Sequence, residues 1–210
     1  VVIVMVADAP DVERVCLGAD GLAAGGKAGL VVVDMSTINP NAARSIGQRL
    51  AEKGIEFVDA PVSGGETGAI NAALTIMVGG KPEAFEKVRP LLEKMGKSVT
   101  LIGDSGAGQV AKACNQILTG VGVLAVAEAF NFAAKSGVDA SKVREALLGG
   151  FAYSKILENH GQRMLDRNFK PGFKSWMHEK DLNIVMQTAH ELGLCLPGSA
   201  ATLSLIHISE

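Results

Sequence analysis

"GDSGAGQVAKACNQ", residues Gly103 to Gln116, is the stretch on which the reading of this chain turns. Within it, Gly106-Ala107-Gly108-Gln109-Val110-Ala111 fits G-x-G-x-x-G/A, the phosphate-cradling turn of dinucleotide-binding folds, and follows a strand-like run. Such a turn needs its helix to lead into a second parallel strand within a unit of about thirty residues, with an acidic residue near that strand's end. Here the helical pattern simply continues to Ser136, and Glu128 sits in "AVAEAFNFAAK" with no strand character or turn before it. A second reading accounts for more residues. The glycines let the backbone turn sharply into a helix, and Lys112 and Asn115 then project from one of its faces. A lysine that gives a proton to a carbonyl oxygen, or steadies negative charge building there, is a recognised catalytic device. Spacing alone also fits a solvated lysine and a capping asparagine.

On the N-terminal side of that stretch, short β-branched runs alternate with helical patterns. The runs are Val1 to Val6, Leu30 to Asp34, Ile55 to Val58, Leu74 to Val78 and Ser98 to Ile102. Between them, "APDVERVCLG", "NPNAARSIGQRLAEKG" and "PEAFEKVRPLLEKMG" carry helix-start residues and a glycine near the exit. Asn39-Pro40 suits N-cap and N1, and Gly54 suits a stop. This β-α-β rhythm predicts an α/β sheet domain over residues 1–105. Beyond it, the helix from Ala107 to Ser136 and segments Asp139 to Leu148, Tyr153 to Leu165 and Lys174 to Leu192 predict an all-α domain over residues 106–210. Gly120, Gly122, Ala125, Ala127 and Ala129 predict close helix packing along the long helix.

With 48% hydrophobic residues, 20% charged and a formal net charge of −2, the chain lacks the basic excess that nucleic-acid or anionic-membrane binding needs. Cys16, Cys114 and Cys195 are odd in number and far apart, which argues against a disulfide framework or zinc site. Each reads as a buried free thiol in a reducing cytoplasm. The four histidines lack i, i+4 pairing, so no metal is predicted. The apolar run from Val121 to Ala127 is too short to cross a bilayer. "VVIVMVADAP" opens in mid-strand without a basic leader or initiator methionine, and reads as the start of a fragment rather than a signal peptide.

"FVDAPVSGGETGAINAALTIMVGG" (Phe57 to Gly80), taken with "GAGQVAKACNQ", resembles the β-hydroxyacid dehydrogenase family over nearly the whole chain. The resemblance implies a partial Rossmann-like NAD(P)-binding domain followed by a helical substrate and oligomerisation domain. It implies that Ser63, Gly64 and Gly65 bind the substrate carboxylate, that Lys112 is the catalytic lysine, and that Asn115 holds substrate. Physically, a glycine-rich loop offers backbone N–H groups to an anion and a serine adds a hydroxyl donor. "DMSTINP" (Asp34 to Pro40) resembles the family's strand end near the nicotinamide ribose, which nominates Thr37 as a cofactor contact. Val6 and Ala7 stand where the family often carries Leu-Pro beside the cofactor, and backbone contacts survive that departure. "MHEKDLN" (Met177 to Asn183) resembles the motif whose lysine reaches the active site, which nominates Lys180; read alone, Lys180 and Asp181 form a solvated charge pair.

"GGFAYSKILENHGQRMLDRNFKPGF" is most similar to the tartronate semialdehyde (2-hydroxy-3-oxopropionate) reductase branch. The related 6-phosphogluconate dehydrogenases follow their lysine with histidine and asparagine at the third and fourth places. Here those places hold Asn115 and Gln116, which disfavours a decarboxylating enzyme. The resemblance thus implies NAD or NADP as cofactor, a small carboxylate substrate and a homo-oligomer. The family's opening β-α-β unit has no counterpart in these residues, so very weak cofactor affinity is expected of the 210-residue chain. "LSLIHISE" (Leu203 to Glu210) departs from the family's long closing helix and reads as foreign to it.

Overall fold

The computed structural model describes residues 1–170 and 172–206. Two compact units divide between Asn115 and Gln116. The first holds six strands, β1 (Val2–Val4), β2 (Val31–Asp34), β3 (Glu56–Asp59), β4 (Val62–Ser63), β5 (Leu74–Gly79) and β6 (Gly96–Gly103). Its helices are α1 (Ala9–Leu17), α2 (Leu22–Gly25), α3 (Pro40–Ala51), α4 (Gly65–Ile70), α5 (Pro82–Leu92) and the start of α6 (Ala107–Lys135).

β2 pairs in parallel with β1 and β3, and β6 pairs in parallel with β5. β3 and β4 lie antiparallel to β5 in one shared register, Asp59 opposite Gly79 and Val62 opposite Ile76. They behave as one strand interrupted at Ala60-Pro61, so the sheet is mixed rather than uniformly β-α-β. The six-residue α4 reverses the chain between them, where a parallel crossover needs a dozen or more residues.

The continuous apolar run at β2 is explained by burial on both faces. Val31 and Val33 pack with Ala84, Phe85, Val88 and Leu92 of α5, whereas Val32 packs with Val12 of α1 and Ala43, Ile46 and Leu50 of α3. Side chains thus alternate across the strand with period two. Asn39 caps α3 by accepting from the Asn41 N–H at 2.8 Å, Pro40 takes the first turn, and Gly54 turns out at φ +71°.

The second unit continues α6 from Gln116 and adds α7 (Ala140–Leu148), α8 (Lys155–Leu165), α9 (Ser175–Glu191) and α10 (Pro197–Ile206). Val126, Phe130 and Leu157 form its core with flanking Leu147, Leu148, Ile156 and Met164. Of the small residues on α6, Gly120 and Gly122 permit close approach, whereas Ala125, Ala127 and Ala129 are exposed. A Cβ at Gly120 would stand 2.9 Å from His178 Nε2, and one at Gly122 would stand 3.5 Å from Ile156. Among the described residues α6 is the one helix long and apolar enough to cross a membrane by length and composition, a property that its Val121–Ala127 run alone does not reveal.

The division inside α6 falls ten residues later than the boundary expected from sequence, because the first turns of the helix are hydrogen-bonded to the sheet, as described below. One expectation, the burial of all three cysteines, is corrected. Cys114 and Cys195 are exposed and only Cys16 is buried, since the former lie on a helix surface and a loop. Leu203–Ile206 of the suspected tail belong to α10, while residues 207–210 lie outside the described residues. Short elements β4, α2, α4 and α10 were not anticipated.

Candidate active site

The N-terminus of α6 is built around an aspartate. Asp59, the last residue of β3, is 0% exposed. Its Oδ1 accepts from the Gly106 N–H at 2.7 Å and its Oδ2 from the Gln109 N–H at 3.0 Å. These are donors that a helix start leaves without intrahelical partners. Gly106 enters the turn at φ +86°, a left-handed conformation natural to glycine. A Cβ at Gly108 would stand 2.4 Å from the Met77 carbonyl oxygen and 2.8 Å from the Asp59 carboxylate. The glycines that imitate a phosphate-binding turn therefore serve a carboxylate of the same chain. Burial pushes the Asp59 carboxyl above the ordinary aspartate value, opposed by hydrogen bonds from the backbone of Gly106, Gln109 and Gly108.

The next residue ties α6 to a different loop. Gln109 is 1% exposed, and its Oε1 accepts from the Ile38 N–H at 3.1 Å while its Nε2 donates to the Ser36 carbonyl at 2.8 Å. One carboxamide thereby holds the backbone on both sides of Thr37, which is half-buried. Ser36 extends the connection: its Oγ accepts from the Val6 N–H at 2.9 Å, and its own N–H donates to Asp34 Oδ1 at 3.0 Å. The loops leaving β1 and β2 are joined at the carboxyl ends of two parallel strands, where open α/β sheets bind ligands.

The nicotinamide cofactor implied by resemblance can be tested against these groups. At Gly106–Ala111 it does not fit, because Asp59 already takes the backbone donors. The β1 and β2 ends are better suited: Val6 and Thr37 are half-buried, Ala7 is exposed, and the buried Asn39 Nδ2 at the start of α3 has no partner among the described residues. These residues would hold the nicotinamide and ribose end.

One turn further along α6, Lys112 is only 8% exposed, and its Nζ donates to the Val62 carbonyl oxygen at 2.8 Å. A buried ammonium requires such an acceptor. Val62 immediately precedes Ser63, Gly64 and Gly65, so the structure brings the lysine to the loop with which sequence paired it. Gly64 and Gly65 have φ of +135° and +61°, and only Gly65 faces open space where a side chain would stand. Asn115 is half-buried on the same helix, one turn beyond Lys112.

Lys180 lies in the second unit, on α9. It is not solvated: Lys180 Nζ approaches Asp181 Oδ1 at 3.0 Å, with side-chain exposures of 16% and 3%. Asp181 Oδ2 accepts from Gln116 Nε2 at 2.6 Å, and the same amide lies 3.4 Å from His178 Nδ1. The solvated-pair reading fails because Asp181 has a buried amide to bind. No cluster of three or more His, Cys, Asp or Glu side chains suited to a metal occurs among the described residues.

Sequence reasoning missed Asp59, Gln109, Gln116 and Asp181 as organising residues. A signal existed for Asp59 alone: a glycine-rich helix start that binds no phosphate still needs an anion or acceptor, and Asp59 ends an apolar strand.

Two family models cover the chain. One described as "NAD binding domain of 6-phosphogluconate dehydrogenase" matches residues 1–103, and one described as "NAD-binding of NADP-dependent 3-hydroxyisobutyrate dehydrogenase" matches residues 106–209. A 2-hydroxy-3-oxopropionate reductase of Escherichia coli (strain K12) is 46% identical over 207 residues, which are 99% of this chain and 71% of that protein. The crystal structure of 3-hydroxyisobutyrate dehydrogenase from Salmonella typhimurium superposes with a TM-score of 0.85 at 32% identity, covering 98% of this chain and 72% of that one. The Mycobacterium tuberculosis 3-hydroxyisobutyrate dehydrogenase with L-serine gives 0.88 at 31% identity, with the same coverages of 98% and 72%. With its mixed sheet, its helical second unit and a buried lysine beside a Ser-Gly-Gly loop, the chain belongs to the β-hydroxyacid dehydrogenase family of NAD(P)-dependent oxidoreductases.

Proposed function

We propose that the protein interconverts a short 3-oxo acid and its β-hydroxyacid, with tartronate semialdehyde (2-hydroxy-3-oxopropionate) and glycerate as the pair. The observation that carries this reading is the buried Lys112 ammonium held on the Val62 carbonyl, next to Ser63, Gly64 and Gly65. When bound, NADH or NADPH supplies the hydride to the aldehyde carbon. The Ser63 hydroxyl and the Gly64 and Gly65 N–H groups bind the substrate carboxylate, a donor set suited to an anion. Lys112 gives a proton to the carbonyl oxygen as negative charge builds there, and takes one back from the hydroxyl in oxidation. Asn115 holds the substrate, Val6, Ala7 and Thr37 contact the cofactor, and Lys180 orients the reactants. Orientation of donor and acceptor accounts for much of the acceleration. The similarity to the E. coli reductase supports tartronate semialdehyde; the structural similarity to two 3-hydroxyisobutyrate dehydrogenases supports that substrate as the alternative.

In the same reading the enzyme is a cytoplasmic homo-oligomer. Its free cysteines suit a reducing compartment, and Leu118 and Phe132, 74% and 77% exposed on α6, offer apolar surface to a second copy. The deciding experiment is Lys112→Ala in the full natural chain. Turnover should fall about 10²- to 10⁴-fold with cofactor affinity retained. Near-normal turnover with ordinary substrate affinity would sink the lysine assignment.

A further inference from the structure

Three groups of the first unit meet on two turns of one helix. Backbone N–H groups of Gly106 and Gln109 bind Asp59 at the end of β3, the Gln109 carboxamide binds the Ser36 and Ile38 backbone, and Lys112 binds the Val62 carbonyl. Gln109 is the member that no catalytic role explains. Its side chain is fully buried, yet a buried residue at this position needs only volume. An apolar side chain of similar size would leave the Ile38 N–H and Ser36 carbonyl unsatisfied, so the amide is matched to those two groups. They flank Thr37, the nominated cofactor contact, and Ser36 also holds the Val6 N–H.

We propose that Gln109 is a positioning residue: it locks the cofactor-facing loop Ser36–Ile38 to the same helical turns that carry Lys112, and so fixes the hydride donor relative to the proton donor. The inference rests on the function proposed above. The lock is short. Three residues, less than one turn of helix at 3.6 residues per turn, separate the Gln109 clamp from Lys112, and Asp59 prevents the helix start from sliding. Because Gln109 donates with one atom and accepts with the other, displacement of the loop in either direction along its backbone breaks at least one bond.

The test uses the full natural chain and the variants Gln109→Met and Gln109→Glu, with NADH and NADPH as probes. Gln109→Met keeps the volume and removes both bonds. Expected are an about tenfold rise in cofactor Kd, from loss of preorganisation, and an about 10- to 100-fold fall in kcat, from misplacement. The substrate KM should stay within about threefold, and the primary deuterium isotope effect of hydride transfer should rise as the transfer becomes limiting. In cofactor-free protein, amide exchange should accelerate at Ile38 and not at Gly106. If Gln109→Met does not fold, Gln109→Glu carries the test, since it keeps the acceptor toward Ile38 and loses the donor toward Ser36. It should show the same pattern, with a loss that grows as pH rises and the buried carboxyl ionises against the Ser36 carbonyl. A variant that merely lowers Tm, with kcat, cofactor Kd and isotope effect within about twofold of the parent, overturns the proposal. Lys112→Ala distinguishes the two readings: retained turnover there defeats the proposed function, while the effect of Gln109→Met on Kd and on Ile38 exchange judges the lock separately.

Discussion

Gly108→Ala offers a sharp test of what the glycines of α6 do, because two expectations about it have opposite signs. On helix propensity alone the substitution stabilises, since alanine is favoured over glycine by about 0.8–1.0 kcal/mol in a helix interior. The packing says otherwise. The new methyl would stand 2.4 Å from the Met77 carbonyl oxygen and 2.8 Å from both the carbonyl and a carboxylate oxygen of Asp59. The Met77 obstacle is backbone of the central strand β5, which cannot rotate aside as the end of a flexible side chain can. Overpacking of this kind costs about 1–3 kcal/mol, and occasionally more. Relief requires α6 to lift from Asp59, stretching bonds of 2.7 and 3.0 Å, and hydrogen bonds to a charged acceptor contribute about 1.5–3 kcal/mol each. Overpacking less the propensity gain leaves about 0–2 kcal/mol, and weakening the Asp59 contacts by the equivalent of one bond brings the net destabilisation to about 2–5 kcal/mol. Urea melts followed by far-ultraviolet circular dichroism at pH 7 should show a lower midpoint at unchanged slope. Gly25→Ala is the control, because nothing lies within 4 Å of its added methyl. A Gly108→Ala midpoint equal to the parent's, or higher, would refute the packing argument. A normal midpoint with lost cofactor affinity would restore the phosphate-turn reading.

Other outcomes follow from the same structure. Asp59 has its folded-state carboxyl raised above the usual aspartate value, so its titration adds stability that is complete below about pH 3.8 and is lost as pH rises through the raised value. The stability of the parent relative to Asp59→Asn should therefore be greatest at the acid end of a pH series of urea melts and decline upward; an opposite trend would show that the backbone donors outweigh burial. Asp181→Asn should destabilise the second unit by about 1–3 kcal/mol, because it removes the buried anion between Lys180 and Gln116; a shift below about 0.5 kcal/mol would make that network incidental. Burial and the nearby Asp34 carboxylate push the Cys16 thiol up to about 11. Thiol titration at pH 8 should accordingly label exposed Cys114 and Cys195 in native protein and Cys16 only after unfolding; rapid native labelling of Cys16 would contradict its burial.

Much of this was legible in sequence because periodicity and caps agree locally. Asn39-Pro40 starts α3 and Gly54 follows its end, and the apolar run of β2 reports burial on both faces. The two-domain layout was carried by the change from β-α-β rhythm to successive helical segments, and the family likeness by ordered motifs of which the glycine turn with Lys112 and Asn115 is one. What escaped was long-range. No local pattern says that β5 runs antiparallel to β3, since direction is set by the short α4 reversal. Asp59 and Gln109 are separated from their partners by 47 to 73 residues, and a single aspartate or glutamine in an apolar segment has no periodic signature. Lys180 and Asp181 looked solvated because adjacent opposite charges usually are; only the fold supplies Gln116 as a buried third member.

The central claim, that this protein reduces a short 3-oxo acid, is tested most directly by incubating the full natural chain with NADH or NADPH and tartronate semialdehyde while following the reduced nicotinamide by absorbance. The account predicts catalytic consumption of one cofactor per glycerate formed, lost on Lys112→Ala. Cofactor binding without consumption, with tartronate semialdehyde, with the 3-hydroxyisobutyrate semialdehyde counterpart and with other short semialdehydes alike, would contradict it and leave a nicotinamide-binding module without the chemistry.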